Sequence, residues 1–206
     1  MHATPDPISI YSQAFLIYEE NISDSKMQLA IITQIIGLLQ TSRSFSTENY
    51  DTLTTKCALY SNKLLKKPDQ CLAVQLCSHL FWALPRESDP KDVQLYRDGK
   101  RVLECLQKSL KIADACMEAS VNVQLFVEIL NRYLYFYEKR NEFVTVKYIN
   151  GLIDLINTNK GNMEASDESE SITRHYRNTL QLIQSKKHKD NAGISYDEIT
   201  VPVEVA

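Results

Sequence analysis

Four histidines and five cysteines are the side chains in this 206-residue sequence best suited to nucleophilic, acid–base or metal chemistry. His2 and His188 lie in stretches without apolar periodicity, and His175 sits among Arg174, Tyr176 and Arg177 on an amphipathic segment. Only His79 has apolar neighbours. Ser78 precedes it, but successive residues on a helix point to different sides. A nucleophile, a base and an orienting third group therefore do not assemble from these residues. Cys57, Cys71, Cys77, Cys105 and Cys116 occupy apolar helical contexts, as buried reduced thiols of a cytosolic protein do. Cys77 and His79 are two apart, again on different sides, and no second pair has zinc-finger spacing. No glycine-rich phosphate loop, GxSxG or HExxH is present. The expectation is no catalytic residue, no cofactor and no metal.

The elements that carry these residues read as helices. Only 5 glycines and 6 prolines are available for turns, and no run alternates apolar and polar residues as a strand would. Apolar spacing predicts a first helix over about 7–20. A second is capped by Ser23 or Asp24 and runs to about Gln40, with apolar residues around most of its circumference, so burial on more than one side is expected. A third starts near Ser46 or Thr47 and runs to about Lys66. A fourth opens at Pro68 and stops before Pro85. The Pro-Arg-Glu-Ser-Asp-Pro-Lys stretch at 85–91 reads as a loop. A fifth helix covers about 92–117, with Gly99 a candidate kink. A sixth runs from Ala119 or Ser120 to about Arg140, a seventh over about 142–158, and an eighth from about Ser166 to Lys186. The pattern is lost from Asp190, and a flexible tail is expected over 190–206. Helix pairs recur about every 40 residues, near the period of HEAT-like repeats. An α-solenoid is thus expected over 1–189, with a compact helical bundle as the competing arrangement.

Charge and hydropathy exclude two partner classes. A net charge of −3 gives no basic surface for nucleic acid. The longest apolar run, near Leu29–Leu39, falls short of the roughly 18–20 residues that span a bilayer. The first residues lack the basic and apolar regions of a signal peptide.

Surface chemistry remains. His79, Phe81 and Trp82 gather two large aromatics and an imidazole near the end of the fourth helix, either as packing or as a partner contact. Tyr133-Leu134-Tyr135-Phe136-Tyr137 places five large side chains in succession, which cannot all face one core; Tyr133 and Tyr137 are candidate partner contacts with hydroxyls suited to a wet edge. Glu19 and Glu20 end the first helix, while Lys63, Lys66 and Lys67 end the third. A two-fold contact would set each acidic cluster against the other copy's basic one.

Several stretches then carry a family likeness. Leu64-Leu65-Lys66-Lys67-Pro68-Asp69-Gln70, Ser78-His79-Leu80-Phe81-Trp82 and Phe126-Val127-Glu128-Ile129-Leu130-Asn131-Arg132-Tyr133 closely resemble the retromer large-subunit family, vacuolar protein sorting-associated protein 35. Ile22-Ser23-Asp24-Ser25-Lys26 and Gly99-Lys100-Arg101-Val102 are similar to it as well, so the likeness spans about residues 7–185. The resemblance implies an α-solenoid of HEAT-like helix pairs, and a chain corresponding to the C-terminal end of a longer, non-enzymatic scaffold. It implies a cytoplasmic coat peripheral on the endosomal membrane that supports retrograde endosome-to-Golgi protein transport. It further implies that this part binds the small metallophosphoesterase-fold subunit, and that the arrestin-fold subunit is engaged only by an N-terminal part outside this sequence. His79 matches the family histidine of the small-subunit region, with Phe81 and Trp82 beside it. Glu19, Glu20, Lys63, Lys66 and Lys67 match positions implicated in a contact between two large subunits at the apex of the coat, which makes a self-associating homodimer module the alternative role.

Overall fold

Side-chain caps mark the starts of the second, third and eighth helices. The structure, a computed structural model, describes residues 7–85, 95–189 and 193–202. It is all-α, with eight helices among the described residues, and it divides into two compact units, 1–105 and 106–206. Within each unit successive helices pack in pairs in the α-solenoid manner.

In the first unit, α1 spans Pro7–Asn21 and α2 spans Ser25–Thr41. The Asp24 carboxylate caps α2 by accepting the Met27 N–H at 2.9 Å. Helix α3, Thr47–Asn62, is capped by Ser46, whose hydroxyl accepts the Asn49 N–H at 3.3 Å. Helix α4, Lys67–Cys77, carries Pro68 in its first turn, where the missing N–H goes unneeded. Phe15 of α1 stacks on Tyr60 of α3 with ring centroids 5.3 Å apart, and Tyr18 meets the same ring edge-on.

Burial of α2 is narrower than its composition implies. Ile32, Ile35, Ile36 and Leu39 form one i, i+3, i+4, i+7 stripe and are its buried residues. Met27 and Leu38 lie on the outside, Leu38 at 60% exposure. The expectation of burial on several sides is corrected accordingly: the fully buried residues form one stripe, and α2 packs against α3, α4 and the turn after α4.

Helix ends depart from the periodicity. α3 stops at Asn62, short of Lys66, because the Asn62 carbonyl accepts the Gln70 side-chain amide from α4 and Leu64 turns into the core. α4 stops at Cys77 and tightens into a 3-10 turn over Ser78–Phe81. There the Tyr50 hydroxyl takes the Leu80 carbonyl at 2.9 Å, and Trp82 becomes extended. Phe81 and Ala83 then exchange backbone hydrogen bonds with Asp98 and Tyr96 across a single Trp82–Arg97 bridge. Helix α5, Gly99–Asp114, starts after Asp98, whose carboxylate accepts the Arg101 N–H at 3.0 Å. Gly99 therefore opens the helix and does not kink it. The loop expected at 85–91 lies outside the described residues beyond Pro85.

In the second unit, α6 spans Ala119–Glu138, α7 spans Val146–Lys160 and α8 spans Asp167–Lys186. α6 is the centre, packing against both α7 and α8. Its apolar side chains Val123, Phe126, Ile129, Leu130, Tyr133 and Phe136 are all buried. α7 begins later than expected because the Asn141 side chain accepts the Phe143 N–H at 3.1 Å, closing a turn through residues the periodicity assigns to the helix. Ser166 and Ser169 close a reciprocal capping box at the start of α8. Of the tail, residues 193–202 are described; Tyr196 and Ile199 in it are buried, at 2% and 0% exposure.

Candidate functional site

The 3-10 turn fixes the first candidate surface. Phe81 is buried, with the Arg101 guanidinium 4.2 Å from its ring centroid. That guanidinium also bonds Asp51 and Thr55 of α3, which locks Phe81 from above. A partner cannot reach Phe81 without displacing Arg101, so its role is to support the turn from beneath. His79 is buried to 9% exposure. Trp82 is half-buried, with the Arg97 guanidinium 5.1 Å from its ring. The Trp82 indole N–H is buried and has no acceptor among the described residues, an arrangement that ordinarily costs about 1–3 kcal/mol. The turn thus presents one aromatic flank.

The second candidate surface joins the ends of α1 and α3. Burial, together with the nearby Glu19 carboxylate, pushes the Tyr60 phenol up to about 12. The Lys63 ammonium sits 5.5 Å from the same ring. Glu19 and Lys63 are therefore brought to one edge by a residue that the charge pattern alone does not reveal. Glu20, Lys66 and Lys67 are exposed, and Lys67 donates to Gln70 at 3.2 Å.

The α6 aromatic run resolves by side. Tyr133, expected at a partner contact, is buried to 2% exposure, 6.3 Å from the Tyr148 ring of α7. Desolvation raises its phenol well above the usual range. Tyr137 is half-buried, but its hydroxyl donates to the Ser195 carbonyl and its ring meets Tyr196 edge-on at 5.8 Å. The chain's own segment covers it. Tyr196 and Ile199, three apart, are the functional candidates that periodicity misses; the signal was their spacing alone.

Comparison with known proteins places the chain in a family. The sequence model of vacuolar protein sorting-associated protein 35 matches residues 6–159. The chain belongs to that family. It is 50% identical to vacuolar protein sorting-associated protein 35 of Schizosaccharomyces pombe over 162 residues, covering 79% of this chain and 19% of that protein. It is 43% identical to vacuolar protein sorting-associated protein 35A of Arabidopsis thaliana over 205 residues, covering 96% and 25%. With the Dictyostelium discoideum relative it shares 29% identity over 177 residues, covering 86% and 21%. The chain thus spans about a fifth to a quarter of the length of these relatives. The matched range contains both the Ser78–Trp82 turn and the Glu19–Lys63 edge.

The chemistry around the thiols fits a packing role. Cys57, Cys71, Cys77 and Cys105 are buried, Cys116 is half-buried, and none is in a disulfide. Burial pushes the Cys57 thiol up to about 12 and raises Cys77 and Cys105 as well, so they stay protonated and poorly nucleophilic near neutral pH. No helix among the described residues is long and apolar enough to cross a membrane.

Proposed function

We propose that this chain is part of a non-enzymatic scaffold, the large subunit of the retromer coat on endosomal membranes, and that it holds the small metallophosphoesterase-fold subunit during retrograde endosome-to-Golgi transport. The carrying observation is the Ser78–Trp82 turn. Tyr50 and Arg101 clamp it from within, and Trp82 stands half-buried on its flank. A preorganised, half-buried aromatic suits an interface anchor, because a partner can cover it with little loss of order. The arrestin-fold subunit would be engaged elsewhere in the scaffold. Titration calorimetry with the purified small subunit tests this reading. Submicromolar one-to-one binding is expected, with Trp82→Ala and His79→Arg each weakening it by about tenfold or more. Unchanged affinity in both folded variants would remove the turn from the interface.

A second reading is self-association, favoured by the shared edge of Glu19 and Lys63. An edge carrying both signs is complementary to itself across a two-fold axis. Such pairs set orientation more than affinity. Lys63→Glu combined with Lys66→Glu and Lys67→Glu is expected to abolish dimers in sedimentation while leaving small-subunit binding intact. Wild-type chain that sediments only as monomer at tens of micromolar would end this reading.

A further inference from the structure

The segment 193–202 is held as a peptide ligand is held. Two side chains fill buried positions, Tyr196 and Ile199, and a backbone turn from the Ile199 N–H to the Tyr196 carbonyl sets their spacing. The Tyr196 hydroxyl donates to Glu138 of α6 at 2.6 Å, and Lys186 of α8 pairs with the same carboxylate. Lys186 also lies over the Tyr196 ring at 5.3 Å. The remaining contacts address the backbone. Tyr137 donates to the Ser195 carbonyl, and Asn150 of α7 donates to the Glu198 carbonyl at 3.0 Å while accepting the Thr200 N–H at 2.8 Å. One asparagine thus grips the main chain on both sides of Ile199. A cleft of about 530 Å³ lies beside the segment, lined by Arg140, Thr145 and Lys147 and by the segment's own Ile194 and Ser195.

Contacts of this kind recognise a short linear sequence and do not depend on covalent attachment. Main-chain bonds supply register, while two pockets supply selectivity. We propose that α6, α7 and α8 form a receptor for peptides carrying a tyrosine followed three residues later by an aliphatic residue. In this proposal the chain's own residues 193–202 are the resident plug, which a partner peptide of the same chemistry displaces. The occupant in trans is a peptide segment of another protein, recognised by the groove of Glu138, Lys186 and Asn150. The plug lowers the receptor's apparent affinity by the fraction of time it is closed. This inference is independent of the small-subunit reading, since it uses residues of the second unit alone.

The test keeps the full chain and disables the plug by Tyr196→Ala with Ile199→Ala. The probe is a fluorescein-labelled synthetic peptide with the sequence of residues 193–202, followed by anisotropy. Saturable binding to the double variant is expected, with wild type weaker by about tenfold or more. Adding Asn150→Ala should abolish binding, as should Tyr-to-Ala in the probe. Absence of saturation by a double variant whose helical signal and melting match wild type would overturn the proposal, as would equal binding by wild type. If the double variant fails to fold, hydrogen exchange on wild type decides. The Thr200 amide should exchange through local opening, well before the α6 core; exchange only by global unfolding would overturn the proposal. Concentration-dependent wild-type dimers that vanish in the double variant would assign the groove to a second copy's tail and overturn the partner-peptide assignment.

Discussion

Arg101 covers Phe81: its guanidinium lies 4.2 Å from the ring centroid while its nitrogens reach Asp51 and Thr55 of α3. One side chain therefore ties the start of α5 to α3 and seals the turn before it. Arg101→Ala removes a cation–π contact and the charged bonds together. A loss of about 1–3 kcal/mol is expected, read as a lower denaturant midpoint. Arg101→Lys keeps the charge but loses the planar fork, and should recover only part of that loss.

The two faces of α2 give a paired prediction. Leu39→Ala opens a buried site and should cost about 2–5 kcal/mol. Leu38→Gln, one residue away on the exposed side, should change stability by no more than about 0.5 kcal/mol. Equal losses at both positions would contradict the single buried stripe.

The starts of α2, α3, α4 and α8 were legible because a cap or a first-turn proline is a local signal, whereas those of α5 and α7 were placed too early. Asp24, Ser46 and Ser166 cap as their types suggest, and Pro68 opens α4. Helix ends were less legible because distant groups decide them. Gln70 takes the last α3 carbonyl, and Tyr50 takes Leu80 from thirty residues away. Residue type flagged His79 and Trp82, but it did not separate Trp82 on the flank from Phe81 beneath it. Charge flagged Glu19 and Lys63, whereas the ring that joins them, Tyr60, carries no charge. Two buried anchors in a ten-residue segment are too few for a periodic signal, so Tyr196 and Ile199 read as tail.

The capping box of α8 offers a local test. Ser166→Ala removes the acceptor of the Ser169 N–H. Stability should fall by about 1 kcal/mol, while Ser166→Asp should retain most of it.

Glu138 makes the second unit pH-sensitive in a defined window. Burial pushes its carboxyl up, but hydrogen bonds from Lys186 and Tyr196 and the nearby lysine charges outweigh this and hold it below its ordinary 4.5. The folded form therefore prefers the ionised acid. Its contribution is complete above the ordinary value and is lost as pH falls through the lowered one. The melting temperature should drop over that acidic interval, and Glu138→Gln should flatten the drop while lowering stability near neutrality.

Thiol accessibility sorts the cysteines. With an aromatic disulfide reagent near pH 8, Cys116 should react first, and the four buried thiols should react only on unfolding. Early reaction of Cys57 would contradict its burial.

Trp82 is the chain's only tryptophan. Excited selectively, it emits from a single known place, with a guanidinium on its ring and an indole N–H shut off from water. The emission colour and its quenching by iodide then become a private optical channel for the Ser78–Trp82 turn. Circular dichroism, by contrast, averages over every helix. Any separation between the two signals during melting or titration would date local events at that turn against those of the rest of the chain.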